Sequence, residues 1–100
     1  MSNMGKAAFS LAQKNTLDLA NKIKTAIFTA TVANTTNCIH GISGYDNNHD
    51  ELVVIDMYSG HLCSITSEYT ENINLLSIDL VSWSIGIGES IKFILYKNIK

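Results

Sequence analysis

The sequence contains no arginine and no proline. Its seven basic residues are all lysine, set against nine acids for a formal net charge of −2. Nucleic-acid binding and adhesion to an anionic membrane both require clustered cations, so neither is expected. Long apolar runs are missing too. Ser, Thr, Asn or a charge interrupts every candidate before the roughly 18–20 residues that a bilayer-crossing helix needs, and no span is predicted. Met1 to Leu19 does not read as a secretory leader, because Gln13, Lys14, Asn15 and Asp18 break any apolar core. Cysteine is sparse: Cys38 and Cys63 stand alone, whereas a secreted domain stapled by disulfides carries more. Buried, reduced thiols in a cytoplasmic protein are the expectation. Missing Arg and Pro beside thirteen Ile and ten Asn fits the codon bias of an AT-rich genome, such as that of a low-GC bacterium or phage.

What is present is 100 residues, 46% apolar and 16% charged, the composition of one small soluble domain spanning residues 1–100. A chain of this length buries only about two-thirds of its unfolded surface, so a deep, water-excluding active site would compete with the core for residues. Residues 4–24 read as an amphipathic helix, with Phe9, Ala12, Thr16, Leu19, Ala20 and Ile23 at spacings of three and four. From Thr25 to Val32 two readings stay open, a helix continuing to residue 33 or a strand with Ala26, Phe28, Ala30 and Val32 on one face.

The sheet region is expected over residues 38–99. Cys38–Tyr45 reads as a strand weakened by Gly41 and Gly44. Asp46–Glu51 is a polar loop, and Leu52–Met57 and Leu62–Tyr69 form a hairpin across Ser59-Gly60. Thr70–Asn72 is the next turn. Ile73–Ile87 is a long strand whose buried parity switches near Leu80, as a bulge would produce. Gly86 to Ser90 turns the chain, and the last strand sets Ile91, Phe93 and Leu95 against Lys92, Ile94 and Tyr96. The predicted fold is α+β: an N-terminal amphipathic helix packed on a four- or five-stranded, mostly antiparallel meander.

The best chemical pattern is the mirrored pair Cys38-Ile39-His40 and His61-Leu62-Cys63. Antiparallel pairing of those segments would assemble two thiols and two imidazoles, a zinc-type set. The Ser59-Gly60 hairpin opposes this, because it inserts the strand Leu52–Tyr58 between them. No metal is therefore assigned, and Cys38, His40, His61 and Cys63 stand as weak ligand candidates. His49 with Asp46, Asp50 and Glu51 reads as a solvated loop. Asp56 is expected opposite Cys63, within reach of His61. Neither carboxylate–imidazole pair is joined by a nucleophile and an oxyanion site, so no catalytic residue is named and no enzyme is predicted. No motif calls for a cofactor.

Residues 46–90 hold eight acids and no Lys, while the seven Lys lie outside that segment. This segregation suggests an acidic surface for a basic protein partner, with Asp79, Glu89 and Trp83 as contact residues, or complementary patches on two copies of the chain. Small residues Ser82, Ser84 and Gly86 mark a strand edge open to self-assembly. The leading expectation is a non-catalytic, self-associating interaction protein, such as an inhibitor, immunity or accessory factor of a mobile element. The alternative is a binding module for a metabolite or nucleotide, its pocket between helix and sheet or between subunits, with His61, Asn74 and Tyr96 orienting the ligand. A metal-dependent enzyme ranks third.

Overall fold

The computed structural model of the chain describes residues 22–64 and 68–100. Seven strands run through them: β1 (Ile23–Thr29), β2 (Asn37–Ile39), β3 (Glu51–Asp56), β4 (Leu62–Cys63), β5 (Tyr69–Asn72), β6 (Ser77–Leu80) and β7 (Ser90–Tyr96). All pairings are antiparallel, in two sheets ordered β1-β7-β3-β4 and β2-β6-β5. The described residues include no helix. Over the described residues the expected α+β architecture is thus corrected to an all-β one.

Residues 4–21 of the expected helix lie outside the described residues, but its end is overturned, since Ile23 and Lys24 belong to β1. The open choice at residues 25–33 falls to strand as far as Thr29. Ile23, Thr25, Ile27 and Thr29 are β-branched, which disfavours helix, and β7 offers seven consecutive register partners from Tyr96 to Ser90. The meander is also corrected. β7, last in sequence, lies between β1 and β3 because its Ile91, Phe93 and Leu95 are completely buried and need a strand on each flank.

The hairpin across Ser59-Gly60 does form. Gly60 adopts the left-handed φ of 76° that a side chain would resist. Asp56 braces the turn, Oδ1 accepting from the Tyr58 N–H at 3.0 Å and Oδ2 from the Ser59 hydroxyl at 3.1 Å. The register pairs Val54 with Cys63, and the Asp56 N–H donates to the His61 carbonyl at 3.0 Å. Asp56 therefore sits opposite His61, not Cys63. The second arm is short: β4 ends at Cys63, and Tyr69 opens β5 in the other sheet. Thr70–Asn72 is strand rather than turn, the turn being Ile73–Leu76, where the Asn72 carboxamide oxygen accepts from the Leu75 N–H at 3.1 Å. The long strand expected over Ile73–Ile87 reduces to the four residues of β6, followed by a loop with one bridge, Ile85 to Thr35.

The two sheets face each other across one core. Phe93 and Leu95 of β7, with Val54 and Leu52 opposite them on β3, meet Cys38, Ile78, Leu80 and Tyr69 from the second sheet. The His40 ring packs on Phe93 with centroids 5.0 Å apart, and the Tyr69 hydroxyl donates to the Leu52 carbonyl at 3.3 Å. The end of β7 is anchored through Asp50, a completely buried carboxylate. It accepts from Lys97 Nζ at 2.5 Å, from the Asn98 N–H at 2.7 Å and from the Asp46 N–H at 2.8 Å. The Lys97 bond is the main reason that Asp50 titrates low, at about 2.

Candidate functional site

The two cysteines lie in different sheets, Cys38 opposite Ile78 on β6 and Cys63 opposite Val54 on β3. Both are buried free thiols. Burial, with the charge of Asp79 added, pushes Cys38 up to about 11, and burial with a hydrogen bond to Glu68 does the same for Cys63. A thiol held that high is a poor nucleophile and a poor metal ligand, because both roles need the thiolate. No group of three or more His, Cys, Asp or Glu residues is arranged to hold a metal among the described residues.

His40 has gone to a different partner. Its Nε2 lies 3.0 Å from Glu71 Oε1, while its Nδ1 accepts from the Ile42 N–H at 2.9 Å. That backbone donor leaves the ring's single proton on Nε2, directed at the carboxylate, so neither nitrogen is free to take a proton from a substrate. The pair was not visible in the sequence as a constellation. Its trace is that Glu71 shares the parity of Tyr69 on β5, and that face points into the core. His49 Nδ1 sits 2.7 Å from Asp46 Oδ2 on an exposed loop.

The residues expected to orient a ligand are not gathered. His61 lines a cavity of about 230 Å³ with Asp56, Ser59, Cys63, Glu68 and Trp83. Tyr96 lines a different one, with Lys22, Ile23 and Lys97 among its walls, and Asn74 is exposed in the β5–β6 turn. The expected partner residues sit on different segments. Asp79 on β6 accepts from Asn37 Nδ2 at 2.6 Å, Glu89 belongs to the turn before β7, and Trp83 is half-buried in the His61 cavity. Asp46, Asp50, Asp56, Glu71 and Asp79 all accept hydrogen bonds from within the chain, so these acids brace turns and strands, while the Asp46 side chain stays half-exposed.

Among the described residues the longest open edge is β1, and its hydrogen-bond phase follows from the strand ends. The Lys97 N–H donates to the Lys22 carbonyl and the Ala30 N–H to the Glu89 carbonyl, so the even residues of β1 bond to β7. On the other side of β7 the Met57 N–H donates to the Ser90 carbonyl, so its even residues bond to β3, which is the required complement. Ile23, Thr25, Ile27 and Thr29 therefore direct their N–H and C=O groups away from the sheet, without a strand partner among the described residues. Their side chains lie on the outer face, where Ile27 is 58% exposed. The edge has no proline and no interruption in its register, and Lys24 is its only charge. The features that usually blunt an edge strand are thus nearly absent from it.

Over the described residues these observations define an all-β fold of two antiparallel sheets, with a long edge strand that none of those residues pairs on its outer side. Comparison with protein-family models, curated proteins and solved structures found no match.

Proposed function

We propose that the chain is a non-catalytic interaction module that recruits a partner strand along β1, and that its first partner is a second copy of itself. The outward-facing backbone of Ile23, Thr25, Ile27 and Thr29 carries this reading, since such an edge is a template for main-chain pairing. Two antiparallel copies of β1 centred on Ala26 pair Ile23 with Thr29 and Thr25 with Ile27. In that register every outward N–H and C=O of the four residues finds a partner, and the closely spaced central pair is two alanines. Lys24 falls opposite Phe28, so no like charges meet. The operation is two-fold and closes on itself, giving a dimer rather than a filament.

A catalytic reading draws no support from the buried, high-titrating thiols or from an imidazole engaged at both nitrogens. The test is native mass spectrometry of the wild-type chain and of Ile27→Pro over a hundredfold concentration range. Proline at Ile27 removes an outward N–H and spares the bonds to β7. The expected result is a concentration-dependent dimer in the wild type and a monomer in the variant. A wild-type monomer throughout, or a dimer undiminished by Ile27→Pro, overturns the proposal.

A further inference from the structure

The second sheet carries a polar group that the fold leaves unfinished. Glu71 is nine-tenths buried, its Oε1 is bonded to His40, and its Oε2 is buried with no hydrogen-bond partner. An unpaired buried carboxylate oxygen is costly, and such an atom calls for an explanation. Glu71 also walls a cavity of about 400 Å³, together with Tyr45, Asn47, Thr70, Ile73 and Lys100. That volume lies within the range of small-molecule sites.

The charges around the cavity show what is missing. Burial first, and then the fields of Glu71, Glu51, Asp50 and Asp46, raise the Tyr45 phenol above its ordinary value, so four carboxylates act on this one wall. Three have a basic side chain on them. Asp50 holds Lys97 at 2.5 Å, Glu51 holds Lys100 at 3.4 Å, and Asp46 lies 2.7 Å from the His49 imidazole. Lys100 also donates to the Asn47 carbonyl at 3.2 Å, so the one lysine at the cavity is already committed. Among the described residues Glu71 meets only an imidazole whose second nitrogen accepts a backbone N–H, and none of them sets a cation against its charge.

We infer that this cavity is a binding site for a small organic amine, whose ammonium donates to Glu71 while its apolar part lies against Ile73 and the Tyr45 ring. Glu71 Oε2 is itself enclosed, so the carboxylate must turn about its soft terminal torsion to present an oxygen to the cavity, and in doing so it gives up part of the His40 bond. A neutral molecule of the same shape satisfies the hydrogen bond but leaves the charge unbalanced, and it binds less tightly.

The test is an NMR titration of the full ¹⁵N-labelled chain with n-butylammonium chloride, with n-butanol as the neutral counterpart and sodium chloride holding ionic strength constant. Saturable shifts are expected at the Tyr45, Thr70, Glu71 and Ile73 amides. Affinity should be at least about tenfold higher for the amine than for the alcohol, the size of one charge-assisted hydrogen bond. Glu71→Gln should lower amine affinity by about the same factor. No saturable shift, an equal response to the alcohol, or undiminished binding in Glu71→Gln overturns the inference. If that variant does not fold, the amine–alcohol contrast on the wild-type chain decides alone.

Discussion

Replacing Phe93 with alanine, beside the same replacement at Ile94, separates the two faces of β7 in a single pair of measurements. Phe93 is completely buried, lies between Ala26 on β1 and Val54 on β3, and supports the His40 ring at 5.0 Å. Ile94 is its neighbour in sequence but points to the outer face, where it is half-buried beside Thr25 and Val53. Truncating a buried phenylalanine costs about 3–5 kcal/mol, from the lost burial and from the cavity left behind. Domains of this size have about 5–15 kcal/mol in total, so Phe93→Ala should remove a large share of the stability. At about 4–8 °C per kcal/mol, the melting temperature falls by roughly 12 °C or more. Ile94→Ala should cost about 1–2 kcal/mol, because much of its surface already meets water. Urea denaturation of both variants, with the slope checked for constancy, gives the comparison. A cost at Ile94 equal to that at Phe93 would mean that the outer face is as enclosed as the inner one, and the assignment of faces would fail.

Three further outcomes follow from the same geometry. Ala26→Pro removes an N–H that bonds to β7 and should cost about 1–3 kcal/mol, whereas Ile27→Pro should cost under about 1 kcal/mol in dilute solution; equal losses would contradict the hydrogen-bond phase of β1. Asp50 titrates at about 2 in the folded chain against an ordinary 3.8, so its contribution is present above pH 4 and is lost as the pH falls towards 2. Asp50→Asn should therefore melt below the wild type at pH 7, with the gap closing between pH 4 and pH 2; a gap independent of pH contradicts the Lys97 and Asn98 anchoring. Cys38 and Cys63, both buried and raised to about 11, should react with a disulfide reagent at pH 8 at least about tenfold more slowly than a free cysteine, and at the free rate once urea unfolds the chain. Equal rates before and after unfolding would show that the thiols are not held in the core.

The strands that sequence reasoning located share one property, a period-two pattern backed by complete burial on one side. β7 is the clearest case, with Ile91, Phe93 and Leu95 inward as expected, and β3 with its Gly60 hairpin is the next. Elsewhere local pattern and tertiary context disagreed. Ile73 and Leu75 are exposed in a turn, so a run that looks like continuous strand is interrupted by the Asn72 side chain bonding ahead to Leu75. Periodicity cannot show that, since apolar residues in a turn look like apolar residues in a strand. Leu62 to Tyr69 misled for a related reason, because alternation says nothing about which sheet a strand joins. The placement of β7 between β1 and β3 is a pairing over more than sixty positions for β1 and 35 to 45 for β3, beyond any local signal. Of the site residues, Glu71 was hidden because a glutamate on a strand reads as a solvated position, and only the fold shows its parity with Tyr69 turned inward.

Amide hydrogen exchange along β1, read by NMR at a low and a high chain concentration, bears most directly on the proposal that this strand is a docking edge. In dilute solution Lys24, Ala26 and Phe28 should be protected and Thr25 and Ile27 should exchange freely; at high concentration Thr25 and Ile27 should gain protection while the even residues hold theirs. An alternation absent in dilute solution, or odd amides that stay unprotected at every concentration, would contradict it.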